Sequence, residues 1–226
     1  MAAPASSPNR FFLLLGGLAV LGVLALYFLT RQGHSPTVPI AVTVTEADTA
    51  GFRGYVMGSA DAPVEIMEFA DYQCPACEKF EVVEFPYVVE RLIKTGRVRY
   101  VYRDFPLDQP HKWARLAAHS AACANDQGKF WEVHGGIYQS QAQWFSSSKA
   151  GSRFREIAQQ AGADLGAYDE CMGSLRYAGR IQASLEAGLR MGVNSTPSFI
   201  IGGKLHVGVL SYDVIKALVD SLSPVP

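Results

Sequence analysis

Several things are scarce in this 226-residue chain. It has only four cysteines and five histidines. None of the histidines (His34, His111, His119, His134, His206) stands in an HExxH or similar ligand spacing, so no metal site is expected. Neither charge is in excess, with 20 Lys plus Arg against 21 Asp plus Glu, which argues against nucleic acid or another polyanion as a partner. No glycine-rich phosphate loop, no G-x-S-x-G and no internal repeat occurs. Aromatics are not scarce. Twelve Phe, ten Tyr and three Trp exclude a collagenous or disordered chain.

The apolar content is uneven. Residues 11–29 (FFLLLGGLAVLGVLALYFL) contain no charge and no amide, and at 1.5 Å per residue they reach about 28 Å, one hydrocarbon core. The exit, Tyr27-Phe28-Leu29-Thr30-Arg31, is too bulky for a signal-peptidase site, so the run reads as an uncleaved anchor. Arg10 and Arg31 flank it almost evenly and leave orientation to the cysteines. Paired cysteines are usual outside the cytosol, so the expected order is a cytoplasmic tail over 1–10, a transmembrane anchor over 11–29, a tether over 30–53 and an exported domain over 54–226.

Within that domain the hydrophobic period switches twice. Val64–Ala70 alternates as a strand, with Val64, Ile66, Glu68 and Ala70 on one face. From Pro75 to about Lys94 the period is helical, with Pro86 expected to kink the helix and Gly96 to stop it. Val98–Arg103 alternates again, completing a strand-helix-strand unit. Residues 107–192 read as helices near 110–126, 129–139, 152–161, 166–173 and 175–191, with Ser140–Ser152 as a mobile loop. A hairpin follows over 198–207, turned by Gly202-Gly203, and then a last helix capped by Ser211. In the tether, Val38–Val44 has the composition of an added edge strand. Tyr72, Phe105 and Trp144 fit either a peptide groove or the core, and the core is the commoner place.

The chemistry centres on Cys74-Pro75-Ala76-Cys77 at the strand-to-helix junction. A sulfur at a helix N-terminus meets unpaired N–H groups and the positive end of the helix dipole, which favour the thiolate. Cys74 is then the attacking or attacked sulfur, and Cys77, three residues on and on the same face, is the recessed one. A zinc site is the competing reading, but Cys123 and Cys171 stand 48 residues apart and offer no second close pair. Glu68, six residues before Cys74 among apolar neighbours, is a candidate proton-exchanging carboxylate; the alternative is a strand-end charge paired with Arg99 or Arg103.

These motifs resemble the DsbA-like thiol:disulfide oxidoreductases of the thioredoxin superfamily, including their membrane-tethered bacterial members. The resemblance covers about residues 54–222. It rests on Gly58-Ser59-Ala60-Asp61-Ala62-Pro63-Val64, the run Glu68-Phe69-Ala70-Asp71-Tyr72-Gln73-Cys74-Pro75-Ala76-Cys77, Ala122-Cys123 with Gln127-Gly128-Lys129-Phe130-Trp131, and Gly192-Val193-Asn194-Ser195-Thr196-Pro197-Ser198-Phe199. It implies an α/β thioredoxin-like fold with an inserted helical domain at about 107–192. It implies that Pro197 is a cis-proline facing the redox pair, with Thr196, Pro75 and Ala76 beside the substrate peptide, and that Glu68 lies under the disulfide. It also implies that Cys123 and Cys171 form a structural disulfide, the alternatives being two separate buried thiols or a redox-regulatory pair.

The implied activity is disulfide formation in unfolded or partly folded exported proteins, without a cofactor. An integral-membrane, quinone-linked oxidase would restore the Cys74–Cys77 disulfide, and the domain would lie on the periplasmic side of the inner membrane. Ala76 departs from the family's frequent histidine and points to a less oxidising pair. A reductase or isomerase of the same fold, or a non-catalytic peptide-binding holdase, are the alternatives.

Overall fold

A computed structural model of the chain describes residues 8–31, 38, 39 and 42–223, and divides it into two units, Met1–Ser35 and Pro36–Pro226. The first contains α1, Pro8–Arg31. Side chains Phe12–Leu26 are described and all are exposed, and the expected anchor over 11–29 runs past them at both ends. Among the described residues no helix is long and apolar enough to cross a membrane.

The second unit is built on a five-stranded sheet in the order β1-β3-β2-β4-β5. Strands β1 (Tyr55–Met57), β2 (Val64–Ala70), β3 (Val98–Asp104), β4 (Ser198–Ile201) and β5 (Lys204–Val207) pair antiparallel except for β2 and β3, which run parallel. A parallel pair needs a crossover, and the segment carrying the cysteine motif supplies it. Strand β2 is bonded on both edges, which fixes the strand end where the motif begins. The last two strands turn through Gly202 and Gly203 at φ 57° and 75°, values L side chains resist, as a two-residue hairpin demands.

The short α2 (Glu46–Thr49) precedes β1, and its Thr45 and Asp48 cap each other across the first turn. It lies within the stretch read as tether. The added edge strand is β1; residues 38, 39 and 42–45 carry none, and 40 and 41 lie outside the described residues.

The crossover helix departs from a simple kink. Segments α3 (Pro75–Lys79) and α4 (Phe85–Val88) alternate with π-helical turns over Phe80–Glu84 and Val89–Ile93. Pro86 has no N–H to offer the turn before it, and the chain widens there: the Phe85 N–H reaches back five residues to the Phe80 carbonyl. Pro86 then falls at the start of α4, where a missing N–H costs little.

Helices α5 (Ala114–Asn125), α6 (Phe130–Gln139), α7 (Gln141–Trp144), α8 (Ala150–Gln160), α9 (Leu165–Ser174) and α10 (Ala178–Arg190) form the insert, and α11 (Tyr212–Leu222), capped by Ser211, closes the chain. The expected loop at Ser140–Ser152 holds over 145–149, but Gln141–Trp144 is α7 and α8 already starts at Ala150. Trp144 is fully buried, donates to the Ile137 carbonyl at 2.9 Å and meets Phe154 edge-on at 5.0 Å, which anchors the short helix before the serines. Tyr72 and Phe105 are likewise core.

Candidate redox site

Helix α3 begins at Pro75 with Cys74 as its N-cap residue, so the Cys74 sulfur sits over the free N–H groups of the first turn. Both cysteines are unbonded thiols here. Cys74 is 7% exposed and Cys77 is not exposed at all, while Pro75 is exposed between them. The Cys77 side chain donates to Cys74 and does most to bring its thiol down to about 6; burial opposes this, and Thr196 with the backbone N–H groups of Cys77 and Ala76 adds to it. Burial pushes the Cys77 thiol up, and its bond to Cys74 pushes it further. Two sulfurs of one short turn are thus driven in opposite directions.

The Thr196–Pro197 bond is cis, which sets the Thr196 carbonyl 3.4 Å from the Cys74 sulfur as acceptor of its S–H. Pro197 is buried and Thr196 half-buried. The structure therefore brings Thr196, Pro197, Pro75, Ala76, Cys74 and Cys77 to one place.

Glu68 has no exposed surface, and its charge acts on Cys77, pushing that thiol up. It is not paired with arginine. Arg99 bonds Glu65 at 3.2 Å, and Arg103 reaches Ser184 and the Arg53 carbonyl. Glu68 instead accepts the Tyr100 hydroxyl and faces Glu81, a second buried carboxylate. Burial, followed by the charge of Glu81, raises the Glu68 carboxyl well above the usual range, and burial raises Glu81 to about 8. His134 Nε2 lies 3.1 Å from Glu81 but out of line for a hydrogen bond. Burial lowers His134 to about 3, so this is a neutral contact and not an ion pair. Its Nδ1 bonds the Tyr72 hydroxyl at 2.9 Å. Glu81 and His134 also line a cleft of about 270 Å³ with Phe85 and Trp131.

Sequence reasoning missed Glu81 and His134. Glu81 had a signal, because it is four residues after Cys77 and so shares its helical face; His134 comes from α6 and had none. Also missed is the set of amides that hold the turn. Gln73 accepts the Trp113 N–H at 2.7 Å and donates to the Phe145 carbonyl at 2.8 Å, and Gln141 donates to the carbonyls of Tyr72 and Cys74 at 2.9 and 3.1 Å.

Cys123 of α5 and Cys171 of α9 are joined by a disulfide within the insert. Both are buried. His119 Nε2 lies 3.7 Å from the Cys123 sulfur, and burial lowers its imidazole to about 4. His119, Cys123 and Cys171 are the one cluster of metal-ligand atoms among the described residues, but each sulfur is bonded to the other.

A sheet of this order, with a dithiol at the head of its crossover helix and a cis-proline opposite, defines a thioredoxin-like protein. The family described as Thioredoxin matches residues 52–221, and the chain belongs to it. Among similar proteins, Na(+)/H(+) antiporter NhaA 3 of Salinispora tropica is 34% identical over 169 residues. That match takes 75% of this chain and 24% of the antiporter, so the chain spans about a quarter of the length of such relatives. Disulfide bond formation protein D of Bacillus subtilis is 25% identical over 171 residues, 73% of this chain and 75% of that protein. Among solved structures, α-DsbA1 of Wolbachia pipientis superposes with a TM-score of 0.67 at 22% identity, covering 74% of this chain and 89% of that one.

Proposed function

We propose that the protein is a thiol:disulfide oxidoreductase that forms disulfides in unfolded or partly folded exported proteins through Cys74 and Cys77. The observation that carries this reading is the placement of the pair, with Cys74 at the head of α3 and 3.4 Å from the Thr196 carbonyl and Cys77 wholly buried behind it, which lowers one thiol to about 6 and raises its partner. A substrate thiolate attacks Cys74 of the oxidised pair, and the electron pair of the broken S–S bond leaves on Cys77, which takes up a proton. Glu68, protonated and buried, supplies that proton. A second substrate thiolate then attacks the substrate sulfur of the mixed disulfide, and Cys74 leaves as a thiolate. Thr196, Pro197, Pro75 and Ala76 flank the peptide during both attacks. The chemistry uses no cofactor, and a quinone-linked membrane oxidase restores the disulfide.

Residues 11–29 anchor the domain in the inner membrane, with the catalytic unit on the periplasmic side. The apolar run in the sequence supports this, as does the second disulfide, which an oxidising compartment maintains. The kinship with Disulfide bond formation protein D supports the direction of transfer. The deciding test is the reduction potential of the Cys74–Cys77 pair in the full chain, equilibrated against glutathione. A value of about −120 to −200 mV supports donation of disulfides, whereas one near or below about −270 mV makes the protein a reductant and overturns the reading.

A further inference from the structure

The segment between β3 and α5 brings a histidine to the cysteine turn from a distant part of the sequence. Asp71, three residues before Cys74 and buried, spends both carboxylate oxygens on holding that segment and the turn together. Its Oδ1 accepts the Gln73 N–H at 2.7 Å, and its Oδ2 accepts the Leu107 N–H at 2.7 Å and bonds His111 Nδ1 at 2.8 Å. The backbone of Asp71 is tied to both cysteines. Its N–H donates to the Cys77 sulfur at 3.5 Å, and its carbonyl accepts the Cys74 N–H at 3.0 Å. His111 is itself fixed by turns at either side, donating its N–H to Leu107 and accepting that of Ala114, each at 3.1 Å. The imidazole keeps 10% of its side-chain surface in contact with solvent.

The charges around it leave one role open. Burial is the largest single influence and disfavours the imidazolium, but the hydrogen bond and charge of Asp71, with a smaller share from the charge of Cys74, outweigh it, so His111 is raised above the ordinary histidine range. The other charges of the segment are engaged elsewhere. Arg115 clasps Asp108 at 2.6 and 2.9 Å, and Lys112 lies 4.4 Å from the centre of the Trp113 ring. Asp71 therefore links an oriented imidazole to the turn that carries the reactive sulfur. In this chain Ala76 leaves the place inside the motif without a cation.

We propose that His111, oriented by Asp71, is a positioning residue that supplies positive charge beside Cys74 and stabilises its sulfur as the leaving thiolate when the mixed disulfide is resolved. The role rests on the exchange reading above. In that step the second substrate sulfur bonds to the first, the bond between Cys74 and the substrate breaks, and the electron pair stays on Cys74. The substrate is oxidised, the enzyme pair is reduced, and the proton of the second thiol passes to solvent. Hydrogen bonds dominate at Cys74, so the share of His111 is modest.

The test is a thiolate absorbance titration of the reduced full chain, compared with His111→Gln, which keeps a partner for Asp71 but cannot be charged. The acid dissociation constant of Cys74 is expected to fall about threefold in that variant, with salt moving the wild type more than the variant. As a second measurement, NMR titration of the His111 ring in the wild type and in Cys74→Ser is expected to show a lower midpoint when the thiolate is absent. An unchanged Cys74 midpoint in His111→Gln, or, if that variant does not fold, an unchanged His111 midpoint in Cys74→Ser, overturns the proposal. Failure of the wild type to exchange disulfides, with both shifts present, would instead overturn the proposed function and leave the charge coupling intact.

Discussion

Cys74 and Cys77 lie three residues apart at the head of a helix, whereas Cys123 and Cys171 lie 48 residues apart and join two helices of the insert. The first pair closes almost no loop, so a bond there removes little chain entropy. The second closes a long one. Their surroundings differ as much. Around Cys74 are several hydrogen-bond donors ready to solvate a thiolate. Beside Cys123 lies His119, whose imidazole is held neutral by its own burial. What the two pairs teach is that loop length and the surroundings of the sulfurs act together, one pair closing a long loop and the other poised by its hydrogen bonds.

The contrast can be broken in graded ways. The largest effect is expected from Cys74→Ser, which should reduce dithiol exchange to the uncatalysed rate, while Cys77→Ser should trap mixed disulfides visible on non-reducing gels. Replacing Cys123 and Cys171 together by Ala should leave the Cys74 titration in place but cost about 4 kcal/mol of stability, a fall in Tm of roughly 10 °C in a thermal melt.

Next comes the buried carboxylate pair. Both acids are raised in the folded state, so the folded chain binds more protons than the unfolded one, and stability is greatest below the ordinary carboxylate value and is lost as pH rises towards 8. Urea melts at pH 5 and pH 8 should show that loss, and Glu81→Gln should remove about 2 kcal/mol of the difference. Glu68→Gln should slow the step that releases Cys77 by about tenfold, read in stopped-flow oxidation of a model peptide.

Much of the scaffold was legible because it is written in short-range periodicity. The alternation of Val64–Ala70, the glycine pair at 202 and 203 and the Ser211 cap each predict an element that the structure contains. The cysteine motif announces its own place at a strand-to-helix junction. The misreadings share a cause. Ser140–Ser152 looks like a loop by composition and is one over 145–149, but Gln141–Trp144 is helical because the fold buries Trp144. Tyr55–Met57 is too short to show a period, and its strand exists because Tyr55 to Met57 finds β3 as a partner. The residues around the sulfurs divide the same way. Glu68 and Glu81 are local to the motif in strand or helix register, whereas His111, His134 and Gln141 arrive from 37 to 67 residues beyond Cys74, where nothing in the intervening sequence marks them.

The clamp of Gln73 and Gln141 bears on protein engineering. The backbone of residues 72–74 is held by amides whose partners lie in the loop before α5, in α7 and just after it, so the redox turn takes its shape from the helical insert as well as from its own four residues. Moving Cys-Pro-Ala-Cys into another thioredoxin-like scaffold therefore transplants the sulfurs without their mould. A graft that is to keep this reactivity must carry Trp113, Gln141 and Phe145 along with it.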